Sequence, residues 1–426
     1  MRDIPGPPAQ SDSGLSAITA AGGLHAYQLD LHDRYGPLVR FQLPGAPSAV
    51  SVADPVLLEA TAAVNARPDK LFEFLAPLCE AGNLQTLPAG EHVPFRRALL
   101  SVLAGRRSHE THFPAFTALA TELADRWAGL GEVALQQDLS ALSLRMICQY
   151  ALGGDIDDPA RVVSAFETVL TVYLGRLHES DDDLSRAEQA LAYLREVVDG
   201  VLAAGGSDLV AALVKAELTP ARIRDAVLMI MLAAHHTTGV AVSWTLHLLA
   251  GHPEEAARVA AELDDVLGDR PAPSYADLKR LPYLERALKE SMRLYPPGPY
   301  GARETTEDLT LAGHHLPAGT TIFYPFWAVH LNPDHWPDPH AFVPDRFTPE
   351  ASARRPRYAY IPFGLGPRSC EGASLAMVEA ELVLAVLLRR FRFEPVEDHP
   401  VVPVERFVLW AENDIRMRVR VRRPSG

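Results

Sequence analysis

From Thr219-Pro220 to Gly251-His252-Pro253 the sequence reads as one long helix. An N-cap residue followed by proline at the first helical position opens it, and glycine then proline closes it. At about 1.5 Å per residue such a helix is roughly 45 Å long. Its apolar residues, among them Val227, Leu228, Ile230, Met231, Leu232, Trp244, Leu246, Leu248 and Leu249, fall on nearly every face. A helix that is apolar all round has to be enclosed, so the rest of the chain must fold around this one.

A membrane could also enclose it, but the longest unbroken apolar run, residues 226–234, is about half of the roughly 20 residues a spanning helix needs. No membrane span is therefore expected. The N-terminal run Met1-Arg2-Asp3-Ile4-Pro5-Gly6-Pro7-Pro8 lacks the apolar stretch of an export signal. The expectation is a soluble, cytoplasmic protein.

Helical periodicity continues on both sides, between about residues 95 and 295. Residues 253–267 form a helix stopped by Gly268, and residues 283–294 another, stopped by Tyr295-Pro296-Pro297-Gly298-Pro299. Between about 300 and 330 the pattern changes to short β-type runs punctuated by Gly313-His314-His315 and Pro317-Ala318-Gly319. In the tail, Ile415, Met417, Val419 and Val421 alternate with Arg416, Arg418, Arg420 and Arg422, which reads as a strand with one wet face. The fold class is mainly α with a smaller β-rich region. With no Gly/Ser-rich or charged linker in the chain, residues 1–426 read as a single domain.

Forty basic against 54 acidic side chains leave a net charge of −14, which argues against a nucleic-acid or anionic-membrane partner and makes the four tail arginines a solvated strand face. Only four of the basic residues are lysines, a bias that points to a GC-rich, bacterial source. The three cysteines, Cys79, Cys148 and Cys370, are far apart, so neither a disulfide framework nor a zinc ribbon is available. Cys79 and Cys148 read as small buried apolar residues.

Cys370 differs in its context. Residues 361–376 form a glycine-rich turn that leads into a helix from about Ala373 to Arg390. A thiol beside a helix N-terminus is biased toward thiolate and suits a soft metal or a nucleophilic role. Glycines 364, 366 and 372 would let the backbone approach a bulky planar group. The pattern Phe363-x-x-Gly366-x-Arg368-x-Cys370-x-Gly372 resembles the haem-binding loop of the cytochrome P450 superfamily. That resemblance implies a large helical fold with haem b (iron protoporphyrin IX) buried between the long central helix and the cysteine loop. It makes Cys370 the iron ligand and places Phe363 and Gly364 in the cofactor loop.

Other segments match the superfamily in order along the chain. Glu290-Ser291-Met292-Arg293 is similar to its Glu-x-x-Arg pair, and Pro344-Asp345-Arg346-Phe347 to its Pro-Glu-Arg-Phe segment, so Arg346 should close a buried network with Glu290 and Arg293. The Glu255-to-Arg258 pair has the same spacing and reads as a surface ion pair. His92 and Arg96, one helical turn apart, resemble the pair that holds the haem propionates. Arg303 and Arg368 stand where the superfamily also directs arginines at them. Glu371 departs from the pattern, which usually has a small apolar residue directly after the ligand. Its carboxylate could tune the haem potential or face water.

The long helix carries Ala233-Ala234-His235-His236-Thr237-Thr238 where most relatives have an acid before the first threonine. The resemblance implies a proton path through Thr237, with His236 in place of the acid. Alternatively both histidines are packed in the helix interior; about 100° apart on the helix, they cannot chelate one metal together. This stretch is also locally similar to the sterol 14α-demethylase branch, which hints at a fused-ring or terpenoid substrate. His109-Glu110-Thr111-His112 reads as a solvated turn.

The resemblance implies a monooxygenase that inserts one atom of O2 into a C–H bond of a hydrophobic small molecule, of terpenoid, sterol-like or polyketide kind. Haem-thiolate isomerases or dehydratases, and haem-binding sensors, are the alternatives. The substrate pocket is expected from Phe72, Phe74, Leu84, Val169, Tyr173, Met229, Ala233, Pro299 and Phe407. No dinucleotide-binding glycine motif or reductase-sized extension is found, so electrons from NAD(P)H are expected through a separate ferredoxin and ferredoxin reductase. Arg97, Arg106, Arg107, Arg389 and Arg390 are candidates for the docking face.

Overall fold

The computed structural model describes residues 3–82, 84–177 and 184–422, which leaves Met1 and Arg2 of the N-terminal run outside the described residues. The long helix spans Pro220–Gly251, with the Thr219 hydroxyl accepting from the Arg222 amide at 3.3 Å. It is long and apolar enough to cross a membrane, yet 83% of its most apolar stretch is buried inside the protein. Counting unbroken runs missed this, because average hydropathy tolerates the histidines, threonines and serine between the apolar residues.

Around it pack the helices Leu135–Ala151, Pro282–Leu294 and Ala373–Arg390. At the tightest crossing Gly239 lies on Leu139 and Ser140: a Cβ there would sit 2.7 Å from the Ser140 amide nitrogen, so only glycine fits. Downstream, the helix Pro253–Leu267 ends at Gly268, whose φ of 54° with ψ of −124° is a backbone conformation that favours glycine. The β-rich region is a four-stranded sheet in the order Leu38–Leu43, Ala46–Val52, Thr321–Pro325, Tyr300–Glu304. Its second and third strands pair parallel, and Arg303 on the edge strand lies opposite Ile322. The β character expected up to residue 330 stops earlier, because Phe326–His330 is a short helix.

The tail strand, Arg416–Val421, pairs with Glu132–Ala134 and Phe391–Pro395. Met417 is buried while Arg416 and Arg420 pair with Glu132 and Glu394 at the surface. The alternation then reverses: Val421 is 64% exposed and Arg422 turns inward to Asp264. A second correction concerns His109. It lies on the helix Arg106–Trp127, buried, with Nε2 2.9 Å from the Leu103 carbonyl oxygen, so the segment is a helical turn that packs His109 inward and leaves Glu110 and Thr111 exposed. Cys148 is fully buried and Cys79 partly so, and burial pushes their thiols up to about 12 and about 11.

The Glu290 network closes as the family resemblance implied. Arg293 donates from Nε and one terminal nitrogen to the two Glu290 oxygens, at 2.7 and 2.8 Å, and Arg346 Nε reaches Glu290 at 3.2 Å. Arg293 also donates to the carbonyls of His330, Pro339 and Ala341, tying two segments to one guanidinium. Arg258 stays at the surface, bonded to Glu255 and Asp345.

Candidate functional site

The cysteine loop is shaped by its own backbone. Gly364 and Gly366 have φ of 72° and 66°, and a Cβ on Gly366 would lie 1.9 Å from the Ala62 carbonyl oxygen. The close approach at Gly366 is therefore to the chain itself rather than to a bound group. The Cys370 amide donates to the Phe363 carbonyl at 2.8 Å and closes the loop, and the helix Ala373–Arg390 starts directly after Gly372. Phe363 packs on the main core; neither it nor Gly364 is among the residues lining the cavity that Cys370 faces.

The space this cavity encloses, counted out to its solvent-filled mouth, is about 940 Å³. Cys370 and Gly372 form one wall, Met229, Ala233, Thr237 and Thr238 of the central helix another, and Leu84, Phe95, Leu99, Leu103, Ile147 and Leu375 supply apolar surface. Cys370 is open to the cavity while protein surrounds it elsewhere, which is why its surface is accessible although the sulfur is deep in the fold. Burial, then the neighbouring Glu371, pushes its thiol up to about 11 against the opposing pull of the Gly372 amide and Arg96. The bias toward thiolate expected from the helix N-terminus is thus overridden in the metal-free chain. Of the pocket residues expected from the sequence, Leu84, Met229 and Ala233 line the cavity. Phe72, Phe74, Val169, Tyr173, Pro299 and Phe407 are not among its walls, and Phe74 instead meets Phe407 edge to face.

Thr237 lines the cavity and donates from Oγ1 to the Ala233 carbonyl at 2.9 Å. His236 does not line it. One residue earlier, about 100° round the helix, its ring points into the core against Trp410, edge to face at 5.3 Å, and lies 3.7 Å from the His235 ring. Burial, and then His235, holds the His236 imidazole well below its ordinary value, so it is neutral at neutral pH. The packed reading of the two histidines is the one the geometry matches.

The four residues expected at the propionates converge on one side of the cavity. His92 and Arg368 line it; Arg96 and Arg303 stand behind. Arg368 Nε donates to the Asn65 carbonyl at 2.8 Å, and Arg303 to the carbonyls of Ala302 and Leu365 at 2.8 and 3.1 Å. A further guanidinium, Arg67, lines the cavity beside them and bonds Gln85 and the Arg368 carbonyl. Burial first, then Arg303, Arg368 and Arg96, pushes the Arg67 guanidinium down to about 9, and burial with Arg303 pushes Arg368 to about 10. Arg67 sits in a Pro-flanked stretch without helical periodicity, so no spacing in the sequence marks it. Glu371 is not solvated: it bonds Arg96 and lies 3.8 Å from His92 Nε2. Of the arginines considered for docking, Arg97, Arg106 and Arg107 are exposed, but Arg389 is buried and bound to Asp264 and leaves that set.

Glu379 is an acid of the cavity that the sequence reading missed. Three and four residues after Ala376 and Leu375, it shares their cavity-facing side of the helix, and that spacing was the available signal. Its buried Oε1 has no hydrogen-bond partner, and burial pushes its carboxyl up to about 8; Glu381, also buried, is raised to about 8. A carboxyl whose folded value lies above its unfolded one holds a proton that the unfolded chain releases. Each group's contribution is therefore complete below about pH 4.5 and is lost as pH rises toward 8, with a slope of at most about 1.4 kcal/mol per pH unit. Glu379→Gln should flatten the fall in stability between pH 5 and 8, as read by urea denaturation; an unchanged slope would place the carboxyl's charge elsewhere.

Residues 184–419, more than half of the chain, match the cytochrome P450 family model. The chain belongs to the cytochrome P450 family. Among curated relatives, this P450 chain is 39% identical over 203 residues to cytochrome P450 4V2 of Homo sapiens, covering 47% of the chain and 38% of that relative. It is 36% identical over 205 residues to thromboxane-A synthase of Rattus norvegicus, with the same coverage of 47% and 38%. Cytochrome P450 4c3 of Drosophila melanogaster is 43% identical over 178 residues, 41% of the chain and 33% of the relative. The matched segments thus span less than two fifths of each relative.

A P450 implies haem, and the residues of this cavity fit that group. His92 Nδ1 and Arg67 Nε are buried without partners, and four guanidiniums face one carboxylate, as suits a planar group carrying two carboxylates. Cys370 supplies a soft ligand on the cavity wall.

Proposed function

We propose that the chain is a haem-thiolate monooxygenase acting on a hydrophobic small molecule of terpenoid, sterol-like or polyketide kind. The observation that carries this reading is that Cys370, Thr237 and the arginine-rich corner meet in one cavity whose remaining walls are mostly apolar. Haem bound there supplies activation of O2 and transfer of one oxygen atom to a C–H bond.

The chain's own residues do the rest. Cys370 presents its sulfur from a loop fixed by backbone contacts, and losing its proton is coupled to metal binding, since burial alone favours the neutral thiol. Arg67, Arg368 and His92 supply donors for the propionates. Thr237 carries the proton-handling hydroxyl, which both donates and accepts. His236, neutral and packed on Trp410, positions the helix turn beneath it. Leu84, Phe95, Leu99 and Met229 exclude water and orient an apolar substrate. Electrons are assigned to a ferredoxin and its NAD(P)H-dependent reductase.

The test is an optical titration of the haem-loaded protein with sterols, cyclic terpenes, macrolides and fatty acids, followed by product analysis with ferredoxin, reductase and O2. A saturable spectral shift and an oxygenated product support the reading. Turnover that needs neither O2 nor ferredoxin would favour an isomerase instead, a reading to which the likeness to a thromboxane-A synthase lends support. Replacing Thr237 by alanine should lower product formed per NAD(P)H at least about tenfold, less than the roughly 10²–10⁴-fold in rate that a positioned proton donor contributes. Equal coupling would move the proton path away from this hydroxyl.

A further inference from the structure

Glu371 brings a charge that the cysteine-loop pattern does not require, and the structure spends it on the arginine cluster. Among the described residues, it is the carboxylate whose field opposes burial at Arg67, Arg303 and Arg368 alike. Its carboxylate pairs with Arg96 and stands 3.8 Å from His92 Nε2. Arg96 is shared between it and Ser369: one terminal nitrogen serves Glu371 and the Ser369 carbonyl, and the other donates to Ser369 Oγ at 3.1 Å. Arg67 Nε and His92 Nδ1, on residues that line the cavity, have no partner.

We propose that Glu371 is a resident counter-anion: in the haem-free chain its carboxylate occupies the Arg96–His92 corner of the cluster, and loading exchanges it there for a carboxylate of the haem. This rests on the reading that the cavity takes haem. Buried cations of one sign need an anion nearby. A dicarboxylate entering the cavity meets Arg67, Arg368 and His92 first and gains Arg96 when Glu371 releases it. No bond is made or broken in the exchange; one ion pair replaces another.

The experiment compares full-length parent, Glu371→Gln and Glu371→Asp. Thermal unfolding of the haem-free chains is followed with and without millimolar inorganic pyrophosphate, and each chain is titrated with hemin. Glu371→Gln should unfold several degrees lower than the parent when haem-free, and pyrophosphate should restore most of that loss while moving the parent little. It should also bind hemin at least about tenfold more tightly, having no resident anion to displace. Glu371→Asp keeps the charge and should keep the parent's melting temperature; were Glu371→Gln insoluble, a parent-like pyrophosphate response in Glu371→Asp would support the proposal and a large new stabilisation would overturn it. Equal haem-free stability, or unchanged or weaker hemin affinity in Glu371→Gln, also overturns it. A parent that binds no hemin would sink the functional reading, while the haem-free comparison would still decide the role of Glu371.

Discussion

Replacing Arg293 with methionine should destabilise the chain by about 3–5 kcal/mol, the range for breaking a buried ion pair from one side. Arg293 and Glu290 are both fully buried, and removing the cation leaves a carboxylate with only Arg346 and the Val343 amide as partners. It also frees the carbonyls of His330, Pro339 and Ala341, which come from two segments. Urea denaturation measures the loss directly. The control is Arg258→Met, which removes the same i, i+3 pairing from an exposed helix face and should cost no more than about 1 kcal/mol. Similar losses in the two variants would show that the Glu290 network is not the brace between the helix Pro282–Leu294 and the segments around residues 330–346.

That pair of arginines shows what kind of information the sequence carried. The i, i+3 pattern is identical at both sites, and pattern alone could not separate them; position before a proline break, together with the family resemblance, could. The central helix was legible because its caps and its all-round apolar character are local properties that packing only reinforces. So were the cysteine loop and the helix after it, whose glycines encode positive φ directly.

What was not legible depends on direction or on distant partners. Whether His236 or Thr237 faces the cavity is a rotation of about 100° on one helix, set by where Trp410 packs. Arg389 looked like surface charge until Asp264 came to meet it, and Arg422 breaks a clean alternation for the same partner. Arg67 joins the cluster across about 300 residues of sequence through the Arg368 carbonyl, a contact no local spacing announces. The thiol of Cys370 is the clearest electrostatic case: the helix terminus and the Gly372 amide pull toward thiolate, but burial and Glu371 outweigh them.

Cys370→Ala should abolish oxygenation and every thiolate-type spectral feature while leaving the fold nearly intact. The loop owes its shape to backbone contacts, the Cys370 amide on Phe363 and Gly366 against Ala62, and alanine preserves both. The sulfur itself borders the cavity rather than the packed core, so its removal creates little new void, and the stability change should stay within about 1 kcal/mol. The matching control is Cys148→Ala, where a fully buried thiol is truncated. That change should cost stability through a core cavity yet leave the spectra and turnover of the haem-loaded protein unaltered. Soret spectroscopy of the reduced, CO-treated proteins, with circular dichroism melts alongside, separates the two effects. Persistence of the thiolate signature in Cys370→Ala, or its loss in Cys148→Ala, would remove Cys370 as the iron ligand and with it the assignment of this cavity as the haem site.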